Sequence, residues 1–413
     1  MHHSSRLKLT TAFSLIFILV IGLSLIGFTK VITYAVGPTP KTSLKSLKVA
    51  SVSPISNCGG WNAIVSPSPG QDNNLYGVAA ISGNNAWAVG AVHNSGTSQT
   101  LVEHWNGTSW TVIASPSPGG YSDVLDSVVA ISAKNVWAVG YSFVSNSSLP
   151  QTLIEHWNGM SWSVVPSPNA GGYNILSSVA RVPGTSLLWA VGNYYSSANN
   201  TVQQTLIEQW NGTTWSVVPS SNIGPYGNIL NGVTAISANN VWAVGAFYTS
   251  SSGSPQTLIE RWNGTSWSII PSPNPGTVYT VLNSVTRVPG TNHLWAVGSF
   301  QSSGVPQTLI EQWNGRTWSL VSTPSPGASV NTLDGVAGIS ANNAWAVGYD
   351  NNGGSYQTLI EQWNGTTWSI VPSPNPGSNN SLWGMAWVPG TSQLWAVGNA
   401  NTSSSQTLTE FYC

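Results

Sequence analysis

The chain has 413 residues, of which only 6% are charged, while Gly (42), Pro (25) and Trp (22) are abundant; this composition suits short strands and tight turns and not long soluble helices. Six cations and no acid precede residue 58, whereas five cations and twelve acids follow it, a net of −7. A body so short of cations excludes nucleic acid as a partner class, because that binding is driven largely by phosphate neutralisation.

Taken in chain order, Arg6 and Lys8 precede an apolar run from Leu9 to Phe28, followed by Thr33-Tyr34-Ala35. A basic head, an apolar body and small residues at the cleavage-reading positions predict a secretory signal peptide over residues 1–35. About 20 apolar residues also span a bilayer, so an uncleaved membrane anchor is the alternative. The positive flank keeps the N-terminus cytoplasmic in both cases. The expected location is therefore extracellular, secreted or anchored, with membrane contact only through this segment. Residues 36–57, with Gly37, Pro38, Pro40 and several Ser, Thr and Lys, read as a flexible linker.

From residue 58 the chain repeats one unit. Trp-Ala-Val-Gly begins at Trp87, Trp137, Trp189, Trp242, Trp295, Trp345 and Trp395, with spacings of 50 to 53 residues. That period belongs to propeller blades and not to leucine-rich or helical repeats. Within the second unit, four strands are predicted. They are Leu125 to Ile131, Val136 to Val139, Gln151 to Trp157, and Ser161 to Val165, the last two joined by Asn158-Gly159 and the last stopped by Pro166. Four strands in each of seven units predict an all-β fold, a seven-bladed β-propeller of antiparallel sheets over residues 58–413.

Unit boundaries and chain ends do not coincide. Glu410-Phe411-Tyr412-Cys413 aligns with the end of a third strand, and Cys58 to Pro67 aligns with Gly107 to Pro116, a fourth. The last blade is thus expected to take its outer strand from the start of the domain. Cys58 and Cys413 are the only cysteines and fall together in the turn where other blades carry Asn-Gly. A disulfide there would staple the ring, with two unpaired thiols as the alternative.

The unit resembles kelch-like propellers, and its hairpin resembles that of Asp-box propellers. The kelch Trp of the fourth strand stands at Trp110 and Trp162, but the glycine pair is reduced to Gly90-Ala91, Gly140-Tyr141 and Gly192-Asn193. The Asp-box tail appears as Gly107-Thr108-Ser109-Trp110, with the box aspartate replaced by Trp105. The resemblance implies architecture and no activity. Galactose-oxidase-like members need a Cys crosslinked to a Tyr, and both cysteines here are committed to the ring. Sialidase-like members need an arginine cluster. Here Arg181, Arg261 and Arg287 fall near turns or on a third strand, and Arg316 replaces a turn Thr.

Every glutamate occupies one repeat position: Glu103, Glu155, Glu208, Glu260, Glu311, Glu361 and Glu410. Seven equal copies far from the axis do not converge on one ligand, so they read as structural, accepting hydrogen bonds from backbone or indole N–H groups. The repeated Trp sets read as packing between sheets. His93, His104, His156 and His293 have no metal-ligand spacing, and no metal and no cofactor are expected.

What differs between blades carries the functional expectation. At the start of the first strand one position holds Tyr76, Asp126, Ser177, Asn231, Asn283, Asp334 and Trp383. First strands are innermost, so this set is expected to ring the channel mouth, where acids, amides and aromatic faces suit a sugar or peptide. The same face is expected to carry variable linkers with Tyr121, Tyr173, Tyr226 and Tyr279. Three functions follow: an extracellular binding or scaffold module recognising a glycan or an extracellular protein, a polysaccharide hydrolase or lyase using Asp123, Asp126 and Asp334, or an architectural repeat without a ligand. Blades three, five and seven share Val-Pro-Gly-Thr from Val182, Val288 and Val388 where the others read Ile-Ser, which suggests growth by doubling of a two-blade unit.

Overall fold

The computed structural model describes residues 59–144, 149–196, 202–251 and 253–413. The expected signal or anchor, the linker and Cys58 lie outside the described residues, and so does the Cys58 half of the expected disulfide.

Twenty-eight strands form seven four-stranded antiparallel groups, and the first two groups are joined by one parallel bridge between Ser98 and Ser122. We number the blades by their innermost strands: Asp72–Ser82, Gly120–Ser132, Tyr173–Arg181, Gly227–Ser237, Tyr279–Arg287, Val330–Ser340 and Asn379–Trp387. Each innermost strand contacts the next, and Asn379–Trp387 contacts Asp72–Ser82, so the ring closes. The fold is an all-β propeller. Closure uses both ends of the domain, as the alignment of its termini requires. Trp61–Ile64 pairs antiparallel with Ser405–Tyr412, in the register Trp61 opposite Tyr412, and the Gly59 N–H donates to the Cys413 carbonyl at 3.0 Å.

The Trp-Ala-Val-Gly motif is explained residue by residue. Its glycine faces the innermost strand so closely that an added Cβ would lie 1.9 Å from the Asn74 carbonyl oxygen at Gly90 and 2.0 Å from that of Val124 at Gly140. Only glycine fits where backbones approach like this. Its tryptophan crosses into the following blade. Trp87 lies 5.0 Å from Trp157 and 5.4 Å from Trp162, Trp242 lies 4.7 Å from Trp313, and Trp395 lies 5.0 Å from Trp105. At the seam Trp345 meets Tyr412 at 4.6 Å and Trp61 at 5.8 Å, so Tyr412 fills a Trp place. Edge-to-face and tilted indoles of this kind add to the burial of their large surfaces.

The seven glutamates are fully buried between blades. Burial pushes each carboxyl up to about 8, so the neutral acid prevails at pH 7. Of the expected donors, a backbone N–H, that of Ser221, serves Glu260, and no indole serves any of the seven among the described residues. The hydroxyl that ends the fourth strand of the preceding blade donates instead: Ser66 to Glu103 at 2.7 Å, Ser167 to Glu208 at 2.8 Å, and Thr323 to Glu361. Ser66 and Ser167 also pair with a threonine of their own blade; Ser272 pairs with Thr257 at 2.7 Å and with no glutamate, and Glu155, Glu311 and Glu410 have no hydrogen-bond partner among the described residues. A hydroxyl that rotates between two acceptors was invisible as a pattern because Ser and Thr are common in every turn of this chain.

Candidate functional site

The position that varies between blades turns out to be a structural singularity. In every innermost strand the ladder skips the residue at this position: Tyr76, Asp126, Ser177, Asn231, Asn283, Asp334 and Trp383 are each left unpaired at a β-bulge, and blades one, two, four and six skip further residues elsewhere along the strand. A bulge bends the strand and re-aims one side chain. Six of the seven are the fifth residue of their strand, so the ring lies inside the strands and not at their start. The expected place at the channel mouth is corrected to one deeper along the axis, because the strands begin several residues earlier than propensity indicated. Tyr173 and Tyr279, expected in linkers, are the first residues of their strands for the same reason.

The residue after each bulge is Gly77, Ser127, Ser178, Gly232, Ser284, Gly335 or Gly384, always small. An added Cβ on Gly384 would lie 2.6 Å from the Tyr76 carbonyl oxygen, and one on Gly77 would lie 3.0 Å from the Ser127 Cα. Adjacent blades therefore touch backbone to backbone here. This alternation of a varied residue and a Gly or Ser was present in the sequence, and it is the signal that marks the bulge.

The bulge side chains interact around the axis. Asn231 Nδ2 donates to the Leu282 carbonyl of the next blade at 2.9 Å. Asn283 Nδ2 donates to the Leu333 carbonyl at 3.0 Å and to Asp334 Oδ1 at 2.9 Å. The other oxygen of that carboxyl, Asp334 Oδ2, is buried and has no partner among the described residues. Trp383 lies 5.5 Å from Tyr349, and its indole N–H donates to Asn399 at 3.0 Å. On the other side of the ring, Asp126 sits among Tyr76, Tyr141 and Tyr173. Burial raises these three phenols, Tyr173 to about 12, and the nearby carboxylate raises them further.

Burial also pushes both bulge carboxyls up to about 7, although Asn283 and Thr332 partly offset this at Asp334. At neutral pH each can accept or donate a proton, which is the condition for general acid–base work or for hydrogen bonding to a neutral hydroxyl. Asp123 has a different role. Both its oxygens accept the Gly119 N–H at 3.1 Å, and it clamps the linker that enters blade two. The same clamp is built from Asn73, Asn174 and Asn228 in blades one, three and four, where each side chain accepts from a linker glycine N–H. Asp123 therefore belongs to the frame and leaves the carboxylate set expected for catalysis.

Two cavities open at the other end of the innermost strands. One of about 460 Å³ is lined by Arg181, Arg287, Thr234 and neighbours; a second of about 190 Å³ is lined by Arg287, Gly338 and Trp387 among others. Neither is lined by a bulge residue. No group of three or more His, Cys, Asp or Glu side chains suited to a metal ion occurs among the described residues.

No family model matches this chain, and no curated relative does. Solved structures do resemble it. YCF48 bound to D1 peptide superposes with a TM-score of 0.52 at 16% identity over 87% of this chain and 97% of its own. An ulvan lyase from a new family of polysaccharide lyases, bound to a saccharide, superposes with a TM-score of 0.52 at 9% identity over 85% of this chain and 94% of its own. At such identities the likeness is one of fold.

Proposed function

We propose that the chain is an extracellular binding module whose bulge ring and overlying loop face recognise a glycan or a protein segment. The observation that carries the reading is Asp334 Oδ2, a buried acceptor without a partner among the described residues, on one of seven side chains that stand at bulges of the innermost strands. Buried polar atoms are normally satisfied, and a ligand hydroxyl or amide satisfies this one. Around the ring stand the faces of Trp383, Tyr76 and Tyr173, which suit stacking on a sugar or an aromatic side chain. Tyr121 near the start of its strand and Ile223, Tyr226 and Val278 in the linkers expose apolar surface at the same end of the ring. Propellers of similar fold bind a peptide in one instance and a saccharide in another, which is the range of partner drawn on here. Trp110 and Trp162 in the fourth strands and the Gly107-Thr108-Ser109-Trp110 hairpin support a proposed kinship with kelch-like and Asp-box propellers.

The test is a glycan and surface-protein array probed with the purified chain and with Asp126→Asn and Trp383→Ala. Binding at micromolar affinity or better, weakened at least tenfold by either substitution, supports the site; wild-type binding by both variants removes it. N-terminal sequencing of secreted protein tests the compartment, and a mature chain beginning at Val36 is the expected result if the leader is cleaved.

A polysaccharide hydrolase or lyase is the second reading, favoured by the two carboxyls held near 7. Incubation with a polysaccharide panel decides it. New reducing ends or unsaturated products that disappear in Asp126→Asn and Asp334→Asn support catalysis, and their absence ends the idea.

A further inference from the structure

The last residues of the innermost strands differ by blade in a regular way. Blades three, five and seven end in Arg181, Arg287 and Trp387, each followed by Val-Pro-Gly-Thr; the equivalent residues of blades four and six are Ala235 and Gly338. Large side chains on alternate blades, with small ones between, leave two hollows. The larger cavity spans blade four between Arg181 and Arg287, and the smaller spans blade six between Arg287 and Trp387. Arg287 lines both. Gly338 permits the arrangement, since an added Cβ there would lie 2.6 Å from the Arg287 carbonyl oxygen.

The electrostatics are unbalanced. The domain from residue 58 has five cations, and two of them line this one cavity. No aspartate or glutamate lines either hollow. Arg181 is positioned by Nη1 donating to the Ile131 carbonyl at 3.1 Å and by Nε donating to the Thr185 carbonyl at 3.4 Å. The Arg287 guanidinium donates to no described residue, so most N–H groups of the pair are uncommitted. Two guanidiniums lining one cavity with no acid beside them favour an anion there, and their planar forks match the oxygens of a carboxylate or sulfate.

We propose that this end of the channel binds an oxyanion carried on a ring: Arg181 and Arg287 hold a carboxylate or sulfate in the larger cavity, and the ring extends past Arg287 towards Trp387, which lines the smaller one. The site is independent of the bulge ring and of the loop face. The cavity of about 460 Å³ is within the range that encloses a small ligand.

Calorimetric titration of the full-length chain at low salt with three probes tests this. Galacturonate carries ring and charge, sulfate carries charge alone, and galactose carries the ring alone. Galacturonate is expected to bind most tightly, sulfate more weakly, and galactose not detectably. Arg181→Ala and Arg287→Ala should each weaken galacturonate at least tenfold, and Trp387→Ala should bring it down to the level of sulfate. Arg287→Lys keeps the charge but loses the fork, and is expected to lose several-fold in a chain that still folds. Arg261→Ala and Arg316→Ala remove the same charge elsewhere and should bind as wild type. The proposal is overturned if no charged probe binds, if galactose binds as well as galacturonate, if Arg316→Ala weakens binding as much as Arg287→Ala, or if neither cavity arginine matters.

Discussion

The walls between blades and the ring around the axis are built from the same seven repeats under opposite rules. At the walls every copy repeats: a tryptophan crossing into the next sheet, a fully buried glutamate, and a hydroxyl at the end of the fourth strand. At the axis the backbone repeats, with a bulge in every blade, but the seven bulge side chains are of five different types. Packing energy is the same problem at every wall, so one solution serves seven times. A ligand on the axis is a single asymmetric object, and seven equal side chains would present it with no orientation. The contrast teaches that the repeated geometry lies in the bulge, while the variation lies in what the bulge carries, which is where the proposed specificity would reside.

The seam tests the walls most severely, because it is a wall that peptide bonds do not complete. If Cys58 and Cys413 are joined, the bond closes a loop of nearly the whole domain, and its loss costs up to ~5 kcal/mol in the chain-entropy model. Cys413→Ser should then lower the urea midpoint far more in oxidised than in reduced protein; equal midpoints would show that the seam is held by Trp61, Tyr412 and their ladder alone. Within an ordinary wall, Trp242→Ala is expected to cost about 3–5 kcal/mol, since the indole is fully buried and its cavity cannot collapse between two sheets. A loss below 1 kcal/mol would mean the walls are looser than the close ring contacts indicate.

The buried glutamates give the walls a pH dependence. In the unfolded chain each carboxyl releases its proton near 4.5, and in the folded chain near 8. Between those values the folded state binds more protons, so stability falls as pH rises through this window. The denaturation midpoint should be higher at pH 5 than at pH 9. Glu311→Gln, which keeps the shape of the neutral acid, should flatten the slope and be better tolerated than Glu311→Ala. The smallest effect is expected at the axis. Asp334→Asn should change stability by no more than ~0.5 kcal/mol at pH 5 and should stabilise at pH 9, where the buried acid ionises at a cost. A loss as large as that of a wall residue would erase the distinction between the two regions.

Much of this was legible along the chain. The period of Trp-Ala-Val-Gly and the match between tail and head specified the blades and the seam before any coordinate. The seven varied residues could be picked out by alignment of the repeats, but their bulges could not. A bulge arises where two neighbouring backbones demand an extra residue, and no propensity records it. The Gly or Ser that follows each one was visible without its meaning. Asp123 looked equivalent to Asp126 in composition, and only the Gly119 N–H on its two oxygens separated frame from site.

By itself, the order of residues determined the all-β class, the repeat, the four-strand unit and the closure of the ring across its ends, because these follow from local periodicity and from copies of one pattern. Tertiary structure alone decided which side chains share a space. Arg181 and Arg287 stand 106 positions apart and read as scattered turn residues, yet curvature of the sheets around one axis brings both to a single cavity. Burial then decided the charge of the carboxyls, since a protonation state depends on the water a fold removes and not on the identity of the residue.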